Sequence, residues 1–327
     1  VSRQYRSWTS YAECLLVGVA CSITAAAADF PSHPLRLISP FAAGGGNDLL
    51  SRTVGAEMSK NLGQGIVVDN RPGANTIVGM EILANAAPDG YTLIMTSSTQ
   101  AINATLYPKL PYDSIKDFSP VCLIASSPLI IAVNPAVPAK NVQELILLAK
   151  ARPGQVMYPS AGTGNATHLA GELFSVMAGV TLTHVPYKGA GPGINDLIAG
   201  RLQTVFGTAP SAMGAIKAGR LRAIAVTGKT RSAVMPELPT VAESGLPGYE
   251  ASTWYGLLSP ARTPRPIIVR LNAEAKKALA APEVNDRLIA QGVDAVGNAP
   301  DEFAAYIKTE IAKWAGVIRK SGAKPES

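Results

Sequence analysis

The chain has 327 residues, 47% of them hydrophobic and 16% charged, with a net charge of +6. It can bury a large core, and its length suits two domains. The 30 Gly and 25 Pro punctuate periodic segments and form no tracts, which excludes disordered and collagen-like chains. The basic residues neither cluster nor interleave with aromatics, so no nucleic-acid partner is expected.

The chain opens on a processing signal. Arg3 and Arg6 make a basic start, residues 15–23 are apolar apart from Gly18, Cys21 and Ser22, and the alanines at 25–28 offer an A-x-A cleavage site. Residues 1–28 are expected to be removed on export. The apolar run is too short to span a bilayer, and no other stretch reaches about 18 uncharged apolar residues. Lipid attachment at Cys21 is the competing reading, and it lacks the usual aliphatic residue three places upstream. With the signal gone, Cys122 is the only cysteine left, so no internal disulfide can form.

Strand and helix patterns then alternate. Residues 35–40 read as a strand, 48–61 as a helix, 65–68 as a strand, 74–86 as a helix stopped by Pro88-Asp89-Gly90, and 91–96 as a strand. This βαβαβ rhythm predicts a parallel sheet with helices on its faces. The long apolar run 121–133 reads as a crossing into a second domain. There 141–151 and 165–178 read as helices, 155–158 and 183–186 as strands, 193–199 as a short helix, and 203–206 and 221–226 as strands. A second crossing falls near 252–258. Two helical segments, 266–280 and 283–291, precede the stripe of Phe303, Ile307, Ile311, Trp314 and Ile318. Its spacings of 4, 4, 3 and 4 make Trp314 a core residue.

Two Gly-rich turns occupy equivalent places, each after a strand and before a helix. The first is Phe41-Ala42-Ala43-Gly44-Gly45-Gly46-Asn47, and the second Ser160-Ala161-Gly162-Thr163-Gly164-Asn165. Glycine lets successive N–H groups point into one concavity, and the following helix adds unsatisfied N–H groups and partial positive charge. Such turns hold an oxyanion without a charged side chain. A plain βα turn also uses glycine, so it is the pair that points to anion binding. Asn47 suits an N-cap or a ligand contact. His168 is placed either to bond the second turn or to face a ligand. Ser97, Ser98, Thr99 and Gln100 follow a strand end and add neutral donors. Lys188 in the polar loop 185–192 reads first as a solvent-exposed turn charge.

Other chemistry finds little support. Gly162-x-Gly164 lacks the third glycine of a dinucleotide loop, since Thr167 stands there, and about 20 residues on stand His184 and Tyr187 where an acid would hold a ribose. Gly228-Lys229-Thr230 has Ala223 where a P-loop needs glycine. His33, His168 and His184 form no metal-ligand set, and no serine carries a nucleophile motif. No cofactor, metal or catalytic residue is expected.

The segments PFAAGGGND (40–48), VVDNRPGAN (67–75), APDGYTLIM (87–95), LPYDSIKDFSPV (110–121), THVPYKGAGPGINDLIAG (183–200), GRLRAIAVTGKTR (219–231), LPTVAESGLPGYE (238–250) and FAAYIKTEIAKWAGVI (303–318) run through the mature chain. In their order and spacing the sequence closely resembles the substrate-binding receptors of tripartite tricarboxylate transporters, the Bug family of periplasmic solute receptors. The resemblance implies an α/β, type II-like periplasmic binding protein with two lobes, each a mainly parallel sheet flanked by helices. Two crossings join them, with 29–130 and 252–327 in one lobe and 131–251 in the other. It implies a carboxylate held by backbone groups and waters between the loops 42–47 and 160–165. The family often has Asp and then Asn after the strand at 203–206. Here Gly207 and Thr208 stand there, which removes a partner for a ligand ammonium. The implied role is a monomeric periplasmic receptor that hands a small carboxylate to an inner-membrane permease with a large and a small subunit. A ligand sensor feeding a two-component system and an enzyme acting on a small carboxylate are the alternatives.

Overall fold

The computed structural model describes residues 30–325 except 42, 45, 188, 189 and 233. The signal segment with Cys21, together with Ala42, Gly45 and Lys188, therefore lies outside the described residues.

Three strands, β1 (Leu35–Ser39), β2 (Ile66–Asn70) and β3 (Thr92–Ser97), pair in parallel in the order β2-β1-β3. Helices cover both faces, so adjacent residues of β1 are apolar and point to opposite cores. Leu37 joins Leu50, Val54 and Met58 of helix α1 (Gly46–Leu62) and Leu271 of α8 (Arg265–Ala280). Ile38, one residue on, joins Met80 and Leu83 of α2 (Ile77–Ala84) and Ile102 of α3 (Thr99–Leu106). The expected helix at 74–86 is shorter, because Ala74, Asn75 and Thr76 have φ of 44°, 50° and 76° and form a separate 3₁₀ turn. Asn75 is held there by reciprocal bonds with Asn103: its Nδ2 donates to Asn103 Oδ1 at 2.9 Å, and Asn103 Nδ2 donates to its carbonyl at 2.7 Å.

The run expected as a crossing is one long strand, β4 (Phe118–Val133), and its partner is β9 (Ser252–Pro260). Residues up to Pro128 of β4 pair antiparallel with β9. From Leu129 onward β4 pairs instead with β7 (Thr204–Thr208) and β8 (Arg222–Val226). The same strand thus serves two sets of elements, and since it runs antiparallel to β7, β8 and β9 the eight-stranded sheet is mixed. The short strand β10 (Asp294–Ala295) pairs with β4 at Ser126 and Ala125. β5 (Met157–Ser160) and β6 (Thr183–Pro186) form a parallel pair of their own. Around them pack α4 (Val142–Ala151), α5 (Ala166–Ala178), α6 (Ala190–Ile198) and α7 (Ala209–Lys217).

The tail forms α8, α9 (Pro282–Ala290) and α10 (Pro300–Ser321). The predicted stripe faces inward, with Phe303 and Trp314 fully buried. Trp314 and Trp254 of β9 each donate an indole N–H at 3.0 Å to Oε2 of Glu310, a buried carboxylate paired with Lys313. This clamp ties α10 to the long strands. Beside it, Gly256 leaves room for Phe303, whose ring atom would lie 2.1 Å from an added Cβ.

Candidate functional site

A cavity of about 600 Å³ is lined by residues from the ends of β1, β3, β5 and β7 and from β9. Five helices begin at its wall. Gly46 and Asn47 open α1, and Ser98 and Thr99 open α3. Asn165, Ala166 and Thr167 open α5, Ala190 opens α6, and Thr208 caps α7. The first N–H groups of a helix have no acceptor inside it and carry the positive end of its dipole. At α5, Asn165 Oδ1 accepts only the third of them, from His168 at 3.0 Å. Those of Ala166 and Thr167, which line the cavity, have no acceptor among the described residues.

No Asp, Glu, Lys, Arg or His lines the cavity among the described residues. Among the described lining residues Tyr255 is the one titrating group, and burial pushes its phenol up against a smaller opposing bond from Thr253, so it stays a neutral donor. Its oxygen would lie 3.4 Å from a Cβ placed on Gly46. The arrangement suits an anion, which gains N–H donors and oriented dipoles without the desolvation cost of a buried Arg or Lys.

The first Gly-rich loop is braced from behind. Gly44, at φ 82°, donates its N–H to Asp48 Oδ2 at 2.9 Å. Burial raises the Asp48 pKa, but hydrogen bonds from Arg52, Gly44 and Asn70 outweigh this and bring it down to about 2. Asn47 is committed as well: its Oδ1 accepts from Ser39 Oγ at 2.9 Å, and its Nδ2 donates to the Met95 carbonyl at 2.9 Å. It sits inside α1, buried, and joins the ends of β1 and β3 instead of offering its amide to the cavity.

The second loop is braced more heavily. Ala161 N–H donates to Thr167 Oγ1 at 3.2 Å, Gly162 N–H to Ser160 Oγ at 3.2 Å, and Gly164 N–H to His168 Nδ1 at 3.0 Å. His184 of β6 stacks on His168 with ring centroids 3.9 Å apart and meets Ser160 Oγ at 2.6 Å. Burial, then the neighbouring His168, hold the His184 imidazole down to about 4. Glu172 stands behind the pair, 3.6 Å from His168 Nε2. Its carboxyl is lowered: burial opposes this, but bonds from His168 and Tyr158 prevail.

The structure thus brings together at one wall Phe41, Ala43, Gly44, Gly46, Asn47, Ser97, Ala161, Asn165 and Thr208. It sets others behind that wall. His168 and Ser160 are buried braces, and Gly207 borders a separate small crevice with Ser211. Thr163 and Gly162 do not line the cavity, and neither does Gly164, which packs against Leu106 and Asn75. Of the N–H groups expected to face an anion, those of Gly44, Gly162 and Gly164 are spent on side chains. At the helix starts, the N–H groups of Ala166 and Thr167 have no acceptor among the described residues, whereas at α3 Ser98 N–H donates to the Trp254 carbonyl at 3.1 Å and Thr99 N–H to Ser97 Oγ at 3.3 Å. Gln100 also turns away, donating to the Ser114 carbonyl at 3.0 Å.

Sequence reasoning missed Ala166, Thr167, Ala190, Thr253 and Tyr255 as lining residues, and it missed helices α3 and α7 altogether. The signals were faint. Thr208 is a capping residue before a short apolar pattern, and Thr253 and Tyr255 alternate along a strand already expected to cross at this point.

The sequence matches the model of the family described as the tripartite tricarboxylate transporter family receptor over residues 50–323. It is 37% identical over 309 residues to the protein BugT of Bordetella pertussis, covering 94% of each chain. A Rhodopseudomonas palustris protein solved with adipate has the same fold at a TM-score of 0.81 and 34% identity, over 91% of this chain and 100% of that one. MatC of the same organism, solved with bound malate, aligns at a TM-score of 0.77 and 32% identity, over 88% of this chain and 100% of the other. Structures described as the periplasmic binding protein BugD and as a TctC solute binding protein from Polaromonas share the fold, each at a TM-score of 0.77, with 31% and 27% identity over 91% and 89% of this chain and 100% and 99% of theirs.

Proposed function

The chain belongs to the tripartite tricarboxylate transporter receptor family, and from that premise we propose that it is a periplasmic receptor for a small carboxylate that serves an inner-membrane permease with a large and a small subunit. One observation carries the ligand class: five helix starts meet at a cavity whose described lining holds no ionised side chain. Each start offers roughly half an elementary charge, so together they offset one or two carboxylates. An ammonium would find no acid there. The relatives solved with adipate and with malate support the same class.

The chain acts as a monomer in this reading, because one chain supplies the whole described lining. Residues 29–130 and 252–327 form one lobe and 131–251 the other, with β4 and β9 as the two crossings. The ligand then touches both lobes, Gly46 and Thr99 on one side and Ala166 and Thr208 on the other, and favours the closed state through both.

Titration calorimetry of the mature chain against dicarboxylates, aromatic acids, amino acids and neutral sugars tests this. Carboxylates are expected to bind one to one and to be recovered unchanged by NMR. Binding confined to sugars, or conversion of the ligand, would overturn the reading.

A further inference from the structure

A second, smaller cavity borders the first at Tyr255. This chamber of about 140 Å³ shares Gly46, Thr208 and Tyr255 with the first and adds Leu50, Ser127, Gln291 and Val293. Leu50 and Val293 make its sides apolar. The hydroxyl of Ser127 is committed, donating to the Gly292 carbonyl at 2.8 Å.

Gln291 stands apart from these. It closes α9, and the backbone of its turn is satisfied: Gln291 and Val293 N–H donate to the Leu288 carbonyl and Gly292 N–H to that of Ile289. Its carboxamide has no hydrogen-bond partner among the described residues. The turn is pressed into the cleft floor at Gly292. That residue has φ 69°, and a Cβ there would lie 2.5 Å from the Cβ of Ala209. Any larger residue would push the turn away from the start of α7, so glycine keeps Gln291 in the wall of the chamber that Thr208 also lines.

We infer that Gln291 is a specificity-determining residue. The side chamber takes the far end of a ligand whose first carboxylate lies at the helix starts, and Gln291 donates its amide N–H to a second carboxylate carried on an aliphatic stem. The chemistry of the walls selects this group. No acid lines the chamber among the described residues, so an ammonium finds no counter-charge, while the nearby start of α7 favours an acceptor. Leu50 and Val293 suit methylenes and leave ligand hydroxyls on the stem unpaired. The inference rests on the carboxylate-receptor reading and adds to it a length and a second charge.

Calorimetry with adipate and hexanoate, two acids of equal length differing in the second carboxylate, tests it on the mature chain. The wild type is expected to favour adipate by about tenfold or more, the worth of one hydrogen bond to a charged group. Gln291→Leu should bring the two acids within about threefold and leave hexanoate unchanged. Gln291→Glu, of the same size, should weaken adipate further by charge repulsion while sparing hexanoate, and it decides the matter should the leucine variant fail to fold. A wild type with no preference overturns the inference while leaving the receptor reading standing. So does a folded variant that keeps the preference or weakens both acids equally. A wild type that binds no carboxylate at all overturns the receptor reading itself, and the inference with it.

Discussion

At the scale of single residues, the two loop glycines share a backbone conformation and differ in what surrounds them. Gly44 and Gly164 have φ of 82° and 81°, a region that β-branched residues avoid. A Cβ on Gly44 meets nothing within 4 Å, whereas one on Gly164 would sit 2.3 Å from Leu106 Cδ2. Gly44→Val therefore carries backbone strain alone, on the order of 1–2 kcal/mol, and should weaken carboxylate binding about tenfold. Gly164→Val adds a clash across the cleft and should weaken it several times more. Both should stay folded, because each glycine lies in a loop outside the strands and helices. Titration of the two folded variants checks the order, and equal affinity of both with the wild type would remove these loops from the binding site. The glycine pattern was legible in the sequence, since glycine adopts such angles without the strain a side chain brings. Which N–H groups remain free was not, because Asp48 and His168 reach those donors only after the loops have folded back on their own helices.

At the scale of elements, the imidazole pair joins β6 to the start of α5. His184 hydrogen-bonds Ser160 at the end of β5 and stacks on His168 beneath the loop. Its ring stays neutral down to about 4 in the folded protein, against 6.5 for a free imidazole. The unfolded chain therefore binds the extra proton between those values, so stability is full above 6.5 and falls as pH drops toward 4. With partial screening by solvent the loss is ~2 kcal/mol. His184→Phe keeps a stacking ring and does not titrate. Denaturant unfolding between pH 7 and 4 should show about 2 kcal/mol less loss in this variant than in the wild type. Parallel pH profiles would show that His184 does not carry the effect. The tail helices were readable from spacing alone, because a 3.6-residue stripe needs no partner to be seen. The starts of α3 and α7 were not, since each is short and weakly patterned and is stabilised by what it packs against.

At the scale of the whole molecule, the ligand cavity and its side chamber both lie where β4 and β9 pass between the proposed lobes. Gly164 seats against Leu106 and Asn75 across that gap. A carboxylate that contacts helix starts on both sides can lower its free energy only by drawing them together. Small-angle scattering is expected to show a smaller radius of gyration at saturation than in the free protein. An unchanged radius would mean that the lobes do not move on binding. It would leave the ligand class intact, since that rests on the lining and not on motion.

The sequence by itself determined the α/β alternation, the two long apolar runs, the buried tail stripe, the pair of glycine loops and the family. Each of these is written in local periodicity, in motif order or in backbone angles that glycine favours. Only the tertiary structure decided which groups face the cavity. Five helix starts distant in the chain converge there, Thr253 and Tyr255 turn toward it by strand alternation, and His168, Asn47 and Gly164 are spent on bracing. Gln291 belongs with these. Nothing in its neighbourhood along the chain marks it, and it reaches the cleft because Gly292 lets its turn close on Ala209, a contact between residues 83 positions apart.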